Sequence, residues 1–217
     1  ASFERLVGPG GQSALYYSNR IFQLPLAIIG ISLAQALLPT FSTQMIREDL
    51  QGFRATFSAA IRSLMFFVIP ASLGLAVLSE TIVRTLFQRG RFDAYSTGIT
   101  SAALFYYAFG LLSCCFIKIL VNVFYAMQDT RTPVKTMMVS VAFNIAVSLC
   151  LMGPLKIGGL ALASTLSATL SCALLYRSLR KKFGSLDEAR IIKAGLRMPM
   201  AGAVMALTAW IFDRAVM

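Results

Sequence analysis

The sequence contains no histidine, which excludes a large group of catalytic and metal-binding sites. Without imidazole there is neither a histidine base for a serine or cysteine nucleophile nor a histidine ligand for zinc. Only nine aspartates and glutamates occur among 217 residues, and they are scattered. The four cysteines lie inside apolar runs, where cysteine is usually a small packing residue. We therefore expect no enzyme activity, catalytic residue, metal site or cofactor; the cysteines are Cys114, Cys115, Cys150 and Cys172.

Charged residues are also scarce, at 13% of the chain, about half of the ~25% usual in soluble domains. Hydrophobic residues make up 57%, before 15 glycines are counted. A water-soluble globular protein of this size could not bury so much apolar surface. A disordered chain is excluded as well, because disordered chains contain few apolar residues. The composition therefore predicts an all-α, polytopic integral membrane protein.

Six apolar stretches are long enough to cross the hydrocarbon core as helices, which takes about 20 residues each. Five of them fall within residues 1–182, and residues 183–217 carry one further peripheral span. Pro39 is predicted to close the first span, and Gly153-Pro154 the fourth. The predicted spans are residues 14–38, 59–87 with an earlier end at Leu78 as the alternative, 101–127, 135–152, 158–176 and 191–212.

An amphipathic segment precedes the second span. Phe53, Phe57, Ile61 and Leu64 share one helical face, with polar residues on another. Such a helix is predicted to rest in the lipid headgroup layer before the chain turns inward.

The net charge is +11, and the basic residues cluster between the spans. This placement favours anionic membrane lipids over nucleic acid as the partner, and it orients the chain by the positive-inside rule. Both ends are then predicted to lie outside, which suggests a fragment of a longer protein. The side predicted to be cytoplasmic carries ten basic residues against six: Arg47, Arg54, Arg131, Lys135, Arg177, Arg180, Lys181, Lys182, Arg190 and Lys193.

Arg20 is the first candidate for a functional role. If the helix starts near Ser13, Arg20 lies about 10 Å along its axis, below two interfacial tyrosines. An arginine at that depth needs water, a carboxylate or an anion, and its planar fork can hold phosphate oxygens in bidentate fashion. The alternative is an arginine that merely extends to the headgroups. Asn19 and Gln23, on the same helix, are further candidate substrate contacts.

Pro25 and Pro70 are candidate hinges. Each removes a backbone donor from the interior of a span, and broken helices are common where transporters form cavities and bend. Proline also occurs in membrane helices for plain packing reasons.

Lys118 is the most deeply placed charge, about 13 Å from the predicted helix end at Met127. Its stem covers about half of that distance, so extension to the interface hardly explains it. No acid of the sequence lies at a matching depth. Its partner is therefore an anionic substrate, a segment missing from this chain, or water.

Asn144 and Ser148, one helical turn apart, could offer oxygen ligands to Na⁺, and Ser164 in the next span could join them. Hydrogen bonding between helices is the commoner use of such residues. Asp129 and Arg131 are predicted to cap helices and close a loop.

Four runs of sequence, in order, resemble the MurJ (MviN) lipid II flippase family. The first, SALYYSNRIFQLPLAIIGISLAQALLPTFS, resembles the family's eighth-helix signature and contains Arg20. The others are LFQRGRFDAYSTGITSAALFYYAFGL, KILVNVFYAMQDTRTPVK and GPLKIGGLALASTLSATLSCALLYRSLRK. The resemblance implies that residues 1–182 are one transporter lobe, mostly the C-terminal one, of a MATE-like fold from the superfamily of multidrug and oligosaccharidyl-lipid exporters.

The resemblance also implies roles for residues. Arg20 matches an arginine that faces the central cavity, Lys118 matches a basic position, and the Asn144 region resembles a helix of a proposed sodium site. Many relatives have aspartate where this chain has Asn19, so Arg20 depends more on its substrate or on another helix for a counter-charge.

The function that the resemblance implies is translocation of lipid II across the bacterial cytoplasmic membrane by alternating access, coupled to Na⁺ or to the membrane potential. The expected partners are lipid II and an N-terminal lobe of the same transporter. Three alternatives stay open: an exporter of the same superfamily with another cargo, a non-transporting membrane fragment, and a membrane enzyme acting on polyprenyl phosphate.

Overall fold

The computed structural model describes residues 10–89 and 92–184, and these residues form helices joined by short turns. In chain order they are α1 (Gly11–Pro25), a π-helical segment π1 (Leu26–Ile31), α2 (Ser32–Ile46), α3 (Leu50–Val77), α4 (Ser79–Phe87), α5 (Ala94–Ala126), α6 (Arg131–Gly153) and α7 (Leu155–Phe183).

Five helical stretches in the described part of the chain are long and apolar enough to span a membrane. They are the continuous run Gly11–Ile46, made of α1, π1 and α2, and the helices α3, α5, α6 and α7. The all-α, polytopic fold predicted from composition is therefore confirmed. The sixth predicted span, residues 191–212, lies outside the described residues.

The first span is longer than predicted, because Pro39 does not end it. The helix continues through Pro39 to Ile46. A proline removes only one backbone donor, and in a membrane protein neighbouring side chains and small local adjustments can compensate for that loss. Leaving the helix would free several more backbone groups.

The second predicted span, residues 59–87, starts too late, and the helix ends at the alternative boundary near Leu78. The helix α3 begins at Leu50 and ends at Val77, and α4 is a separate helix that follows Leu78. The segment predicted to lie in the headgroup layer is thus the first part of α3. Its apolar residues are buried in the protein core, with Phe53, Phe57 and Ile61 each 0% exposed. An amphipathic pattern identifies an apolar face but not whether lipid or protein covers it.

Aspartates cap the helices on both sides of the membrane. Ser96 N–H donates to the Asp93 carboxylate at 2.8 Å at the start of α5, so Asp93 caps this helix. This hydrogen bond holds the pKa of Asp93 below its usual range. At the start of α6 the cap is Asp129, which accepts from the backbone and hydroxyl of Thr132.

The fourth and fifth spans are divided near the predicted Gly153-Pro154 boundary. Lys156, the second residue of α7, has φ of 48° and ψ of −121°, and this non-helical residue marks the kink between α6 and α7. The remaining span ends differ from the predicted ones by a few residues, because flanking polar turns extend each helix beyond its apolar part.

The helix α5 is the centre of the fold. It packs against α1, π1, α2, α3 and α4, and against the α6–α7 run. Its buried residues form one core with α2, α3 and the end of α7, and an aromatic cluster lies at that end. The members of this cluster are Phe41, Phe53, Phe57 and Phe183.

Candidate functional site

A groove of about 660 Å³ lies beside α5, on the side where α6 stands. Four helical stretches line it: the junction of π1 with α2, and the helices α5, α6 and α7. Its lining is mostly apolar, but it contains Lys118 and several amide and hydroxyl side chains. These polar residues are Gln35, Lys118, Asn122, Tyr125, Ser140, Asn144, Ser167 and Ser171.

Lys118 projects into this groove as an exposed side chain of α5. The described part of the chain has five acids, and all of them lie at helix ends or in turns rather than inside a spanning helix. These acids are Glu48, Asp49, Glu80, Asp93 and Asp129. Lys118 therefore has no carboxylate at its depth among the described residues, as the sequence predicted.

Two polar contacts join the helices around the groove. Asn122 Nδ2 donates to the carbonyl oxygen of Ala34 at 2.7 Å and ties α5 to α2. Asn144 Nδ2 donates to Ser167 Oγ at 3.2 Å and ties α6 to α7. Both contacts are interhelical hydrogen bonds of the kind that stabilises membrane helix pairs.

The residues predicted as sodium ligands are only partly brought together. Asn144 bonds Ser167, a residue that the sequence-based prediction did not include. Ser164 Oγ donates to the carbonyl of Leu160 in its own helix. Ser148 lies one turn beyond Asn144 and does not line the groove. The described residues contain no cluster of acids or cysteines for a metal ion.

Arg20 lies apart from the groove, exposed on α1. Its Nη2 donates to the hydroxyl of Tyr16 at 2.8 Å, and its guanidinium carbon lies 5.0 Å from the centre of that ring. The side chain thus extends toward the N-terminal end of its helix. It lines neither the groove nor a second cavity of about 350 Å³ near the start of α5. The described residues do not enclose it in a vestibule.

Asn19 and Gln23 occupy the same region of α1. Gln23 Nε2 donates to Asn19 Oδ1, so the two amides hold each other. The hydroxyl of Tyr107 on α5 interacts with the side chains of Asn19 and Ser164. This interaction brings a predicted substrate contact close to a predicted ion ligand, although they belong to the first and the last of the five spans.

The two candidate hinges behave differently. Pro25 directly precedes π1, where the helix widens before it resumes as α2. Pro70 lies inside α3, which continues for seven residues to Val77. π-Helical turns often mark functional positions in helices. The structure therefore supplies a local irregularity at Pro25, while the hinge role of both prolines stays a prediction.

Polar contacts at the end predicted to be cytoplasmic form a clasp that the sequence did not reveal. Lys182 Nζ contacts Asp129 and lies 5.6 Å from the ring centre of Phe124. Nearby, Arg54 Nη2 donates to the carbonyl of Phe183 at 2.6 Å. The two contacts join the end of α7 to the α5–α6 turn and to α3. The Lys182 pairing and the Thr132 donors together hold the pKa of Asp129 well below its usual range.

The model of the family described as lipid II flippase MurJ matches residues 1–217, the whole chain. The chain belongs to the MurJ lipid II flippase family. It is 37% identical over 196 residues to the probable lipid II flippase MurJ of Vibrio cholerae, covering 90% of this chain and 37% of that protein. The similar protein of Haemophilus influenzae is 38% identical over 178 residues, or 79% of this chain and 35% of its own length.

A solved structure has the same fold. It is a lipid II flippase MurJ in an inward closed conformation, with a TM-score of 0.73 and 21% identity, covering 95% of this chain and 47% of that one. This chain therefore has the MATE-like helical fold of MurJ. It spans just over a third of the length of the curated MurJ relatives named above.

Membership of the MurJ family also classifies the protein. MurJ proteins are flippases, which are transporters rather than enzymes. The family and the five apolar spans together make this chain a multi-pass protein of the bacterial inner membrane.

Proposed function

We propose that this chain is part of a flippase that moves lipid II from the inner to the outer leaflet of the cytoplasmic membrane. The observation that carries the proposal is a whole-chain match to the MurJ family in a chain with an exposed arginine on its first span. No covalent chemistry is required, because the cargo is moved rather than altered.

Arg20 is the side chain we propose to contact the diphosphate of the cargo. Within the described residues its hydrogen-bond partner is the neutral Tyr16 hydroxyl, so its charge is available to an anion. A guanidinium binds phosphate oxygens through two parallel hydrogen bonds, which a lysine cannot do. Asn19 and Gln23 lie on the same stretch of α1 and would supply neutral hydrogen bonds to the sugar headgroup.

Alternating access is the mechanism we propose for the complete transporter. In such proteins one lobe moves against another around a site near the middle of the membrane. The described helices would form part of such an assembly, and the opposing lobe would build a cavity around Arg20 together with α1. Coupling to Na⁺ or to the membrane potential stays a prediction. The membrane potential would be a sufficient energy source, because one elementary charge that crosses 100 mV gains about 2.3 kcal/mol.

Cells depleted of their own lipid II flippase provide the test. The complete gene that contains this chain is expected to restore growth and to move lipid II to the outer leaflet. In the same cells another polyprenyl-linked glycan is expected to stay inside, which separates a lipid II flippase from an exporter with different cargo. Translocation of the other glycan alone would favour the exporter, and movement of neither would favour a non-transporting assembly.

A further inference from the structure

We propose that the second cavity, which we call the outer cavity, binds a phosphate-bearing anion. It lies where α1 and α5 begin, at the end of these helices predicted to face outward, and it shares no lining residue with the groove. Free phosphate and the phosphate of a lipid headgroup have the same recognition chemistry. The proposal goes beyond the function proposed above and does not depend on the cargo. The lining residues that carry it are Gly10, Ser13, Tyr17, Arg89, Phe92 and Thr100.

The start of α1 offers backbone donors to such an anion. The first N–H groups of a helix have no acceptor within the helix, and they form the positive end of its dipole. In α1 no side chain caps these groups, and the first turn contains no acid. Gly11, the first residue of the helix, is buried, while Gly10 and Ser13 on either side line the outer cavity. A helix start of this kind is a ready site for a phosphate.

The start of α5 borders the same cavity but already has its own negative charge. Asp93 accepts a hydrogen bond from Ser96 N–H at 2.8 Å and caps that helix. Asp93 itself does not line the outer cavity. The two helix starts therefore differ, and a bound anion would do for α1 what the Asp93 carboxylate does for α5.

Arg89 supplies a positive charge from a different element. It is an exposed residue in the turn between α4 and α5, and it lines the outer cavity. Its guanidinium has no hydrogen bond or ion pair with the residues that the structure describes. A guanidinium can hold two phosphate oxygens through parallel hydrogen bonds. Arg89 and the start of α1 together would therefore bind an anion from two directions.

Thr100 is a buried donor that an anion could satisfy. It lines the outer cavity and is 0% exposed, yet its Oγ1 has no hydrogen-bond partner within the described ranges. Thr97, one turn earlier on the same helix, donates to the carbonyl of Asp93 at 3.1 Å. A buried hydroxyl without a partner is unfavourable, so an acceptor in the cavity would stabilise this part of the protein.

Two aromatic rings form an apolar part of the cavity lining. Tyr17 and Phe92 pack with their ring centres 5.8 Å apart. Apolar walls lower the effective dielectric constant, which strengthens the attraction between a bound anion and the positive groups around it.

Thermal unfolding of the purified complete protein tests this site. The protein is kept in dodecyl maltoside, a detergent without phosphate, and sodium phosphate is compared with sodium chloride at equal ionic strength and neutral pH. We expect phosphate to raise the melting temperature of the wild type, because a ligand that binds only the folded state stabilises it. We expect Arg89→Gln to weaken the apparent affinity for phosphate about tenfold and Thr100→Val about threefold. Lys156→Gln, which removes an exposed charge outside the outer cavity, is the control and should respond like the wild type.

Ser13→Asp separates binding from simple packing. It places a carboxylate in the first turn of α1, where the phosphate would otherwise interact. We expect this variant to melt at a higher temperature than the wild type without phosphate, and to gain little when phosphate is added. Three results would overturn the proposal: a wild type that phosphate stabilises no more than chloride does, an Arg89→Gln protein with the affinity of the wild type, and a Ser13→Asp protein that responds to phosphate in full.

Mixed micelles distinguish the two sources of phosphate. Phosphatidylglycerol is added to the detergent in phosphate-free buffer. If its headgroup occupies the outer cavity, the lipid stabilises the wild type more than Arg89→Gln, and inorganic phosphate then adds little. If the lipid stabilises both proteins equally while inorganic phosphate still favours the wild type, the site binds free phosphate.

Discussion

The two sides of α5 differ in how closely they are packed. On the α3 side, Phe57 and Leu64 are 0% exposed and the core is closed. On the α6 side a groove remains, and only 11% of the most apolar window of α6 is buried, against 39% in α5. What distinguishes the open side is polar content: Lys118, Ser140 and Asn144 all line it. Hydropathy locates spans, whereas polar side chains within spans mark the face that needs a partner.

The largest effect on stability is expected from a substitution in the closed core between α3 and α5. Phe57→Ala removes a fully buried ring from the α3–α5 core and leaves a cavity. We expect it to destabilise the protein by about 3–5 kcal/mol. Met138→Ala, on the outward face of α6, should change stability by less than about 0.5 kcal/mol. Denaturant titration of the complete protein in detergent measures both, and equal losses would contradict the difference between the two sides.

A smaller effect is expected where π1 meets α5. A methyl group added at Gly30 would lie 2.8 Å from Cys115 Sγ and 3.2 Å from its Cα, so the helices would have to separate. Gly30→Ala should cost about 1–3 kcal/mol, measured by the same titration. Gly98→Ala is the control, because nothing lies within 4 Å of the added carbon. A Gly30→Ala protein as stable as the Gly98→Ala protein would show that this contact is not tight.

The hydrogen bond at the edge of the groove has a more modest role. Asn122→Ala removes the contact to the Ala34 carbonyl, which holds α2 against α5. We expect this substitution to lower the free energy of unfolding by about 1 kcal/mol. We also expect faster proteolysis at the turn after Ile46. Unchanged stability in thermal unfolding would mean that the packing of α2 alone holds the two helices together.

The smallest expected effect concerns the clasp between α7 and the α5–α6 turn. The pKa of Asp129 is lowered in the folded state, first by Lys182 and then by Thr132. Its stabilisation is therefore present above the unfolded pKa of about 4 and is lost as the pH falls through the folded value. Because the pair of Asp129 and Lys182 is near the surface, we expect it to contribute less than about 1 kcal/mol to the free energy of unfolding.

Melting curves between neutral pH and pH 3 check this expectation. The wild type should lose stability relative to Asp129→Asn only on the acidic side of about pH 4. A difference that is independent of pH would show that Asp129 acts through helix capping rather than through its charge.

Much of the fold could be predicted from the sequence because membrane spans depend on a simple length and composition requirement. The errors arose where that requirement is insufficient. It cannot tell that the second helix already begins at Leu50, or that the apolar face containing Phe53 and Phe57 meets protein instead of headgroups. Pro39 misled for a related reason, since a membrane helix tolerates a proline that would often end a soluble one.

The candidate site was harder to predict, because it depends on which faces meet. Lys118 and Asn144 were identified singly, and the structure brings them to one groove. Ser140 was missed, although its spacing of four residues from Asn144 places both on one face of α6. Ser167 had no such signal, because its pairing with Asn144 depends on how α7 packs.

The most direct test of the account is growth of flippase-depleted cells that carry the complete gene with a change at Arg20. We expect Arg20→Ala to abolish growth and Arg20→Lys to support little of it. Lysine keeps the positive charge but cannot form two parallel hydrogen bonds to phosphate oxygens. Arg62→Ala, which removes an exposed arginine from α3, should grow like the wild type. Wild-type growth of the Arg20→Ala cells at equal protein level would contradict the role of this arginine in moving a diphosphate-linked lipid.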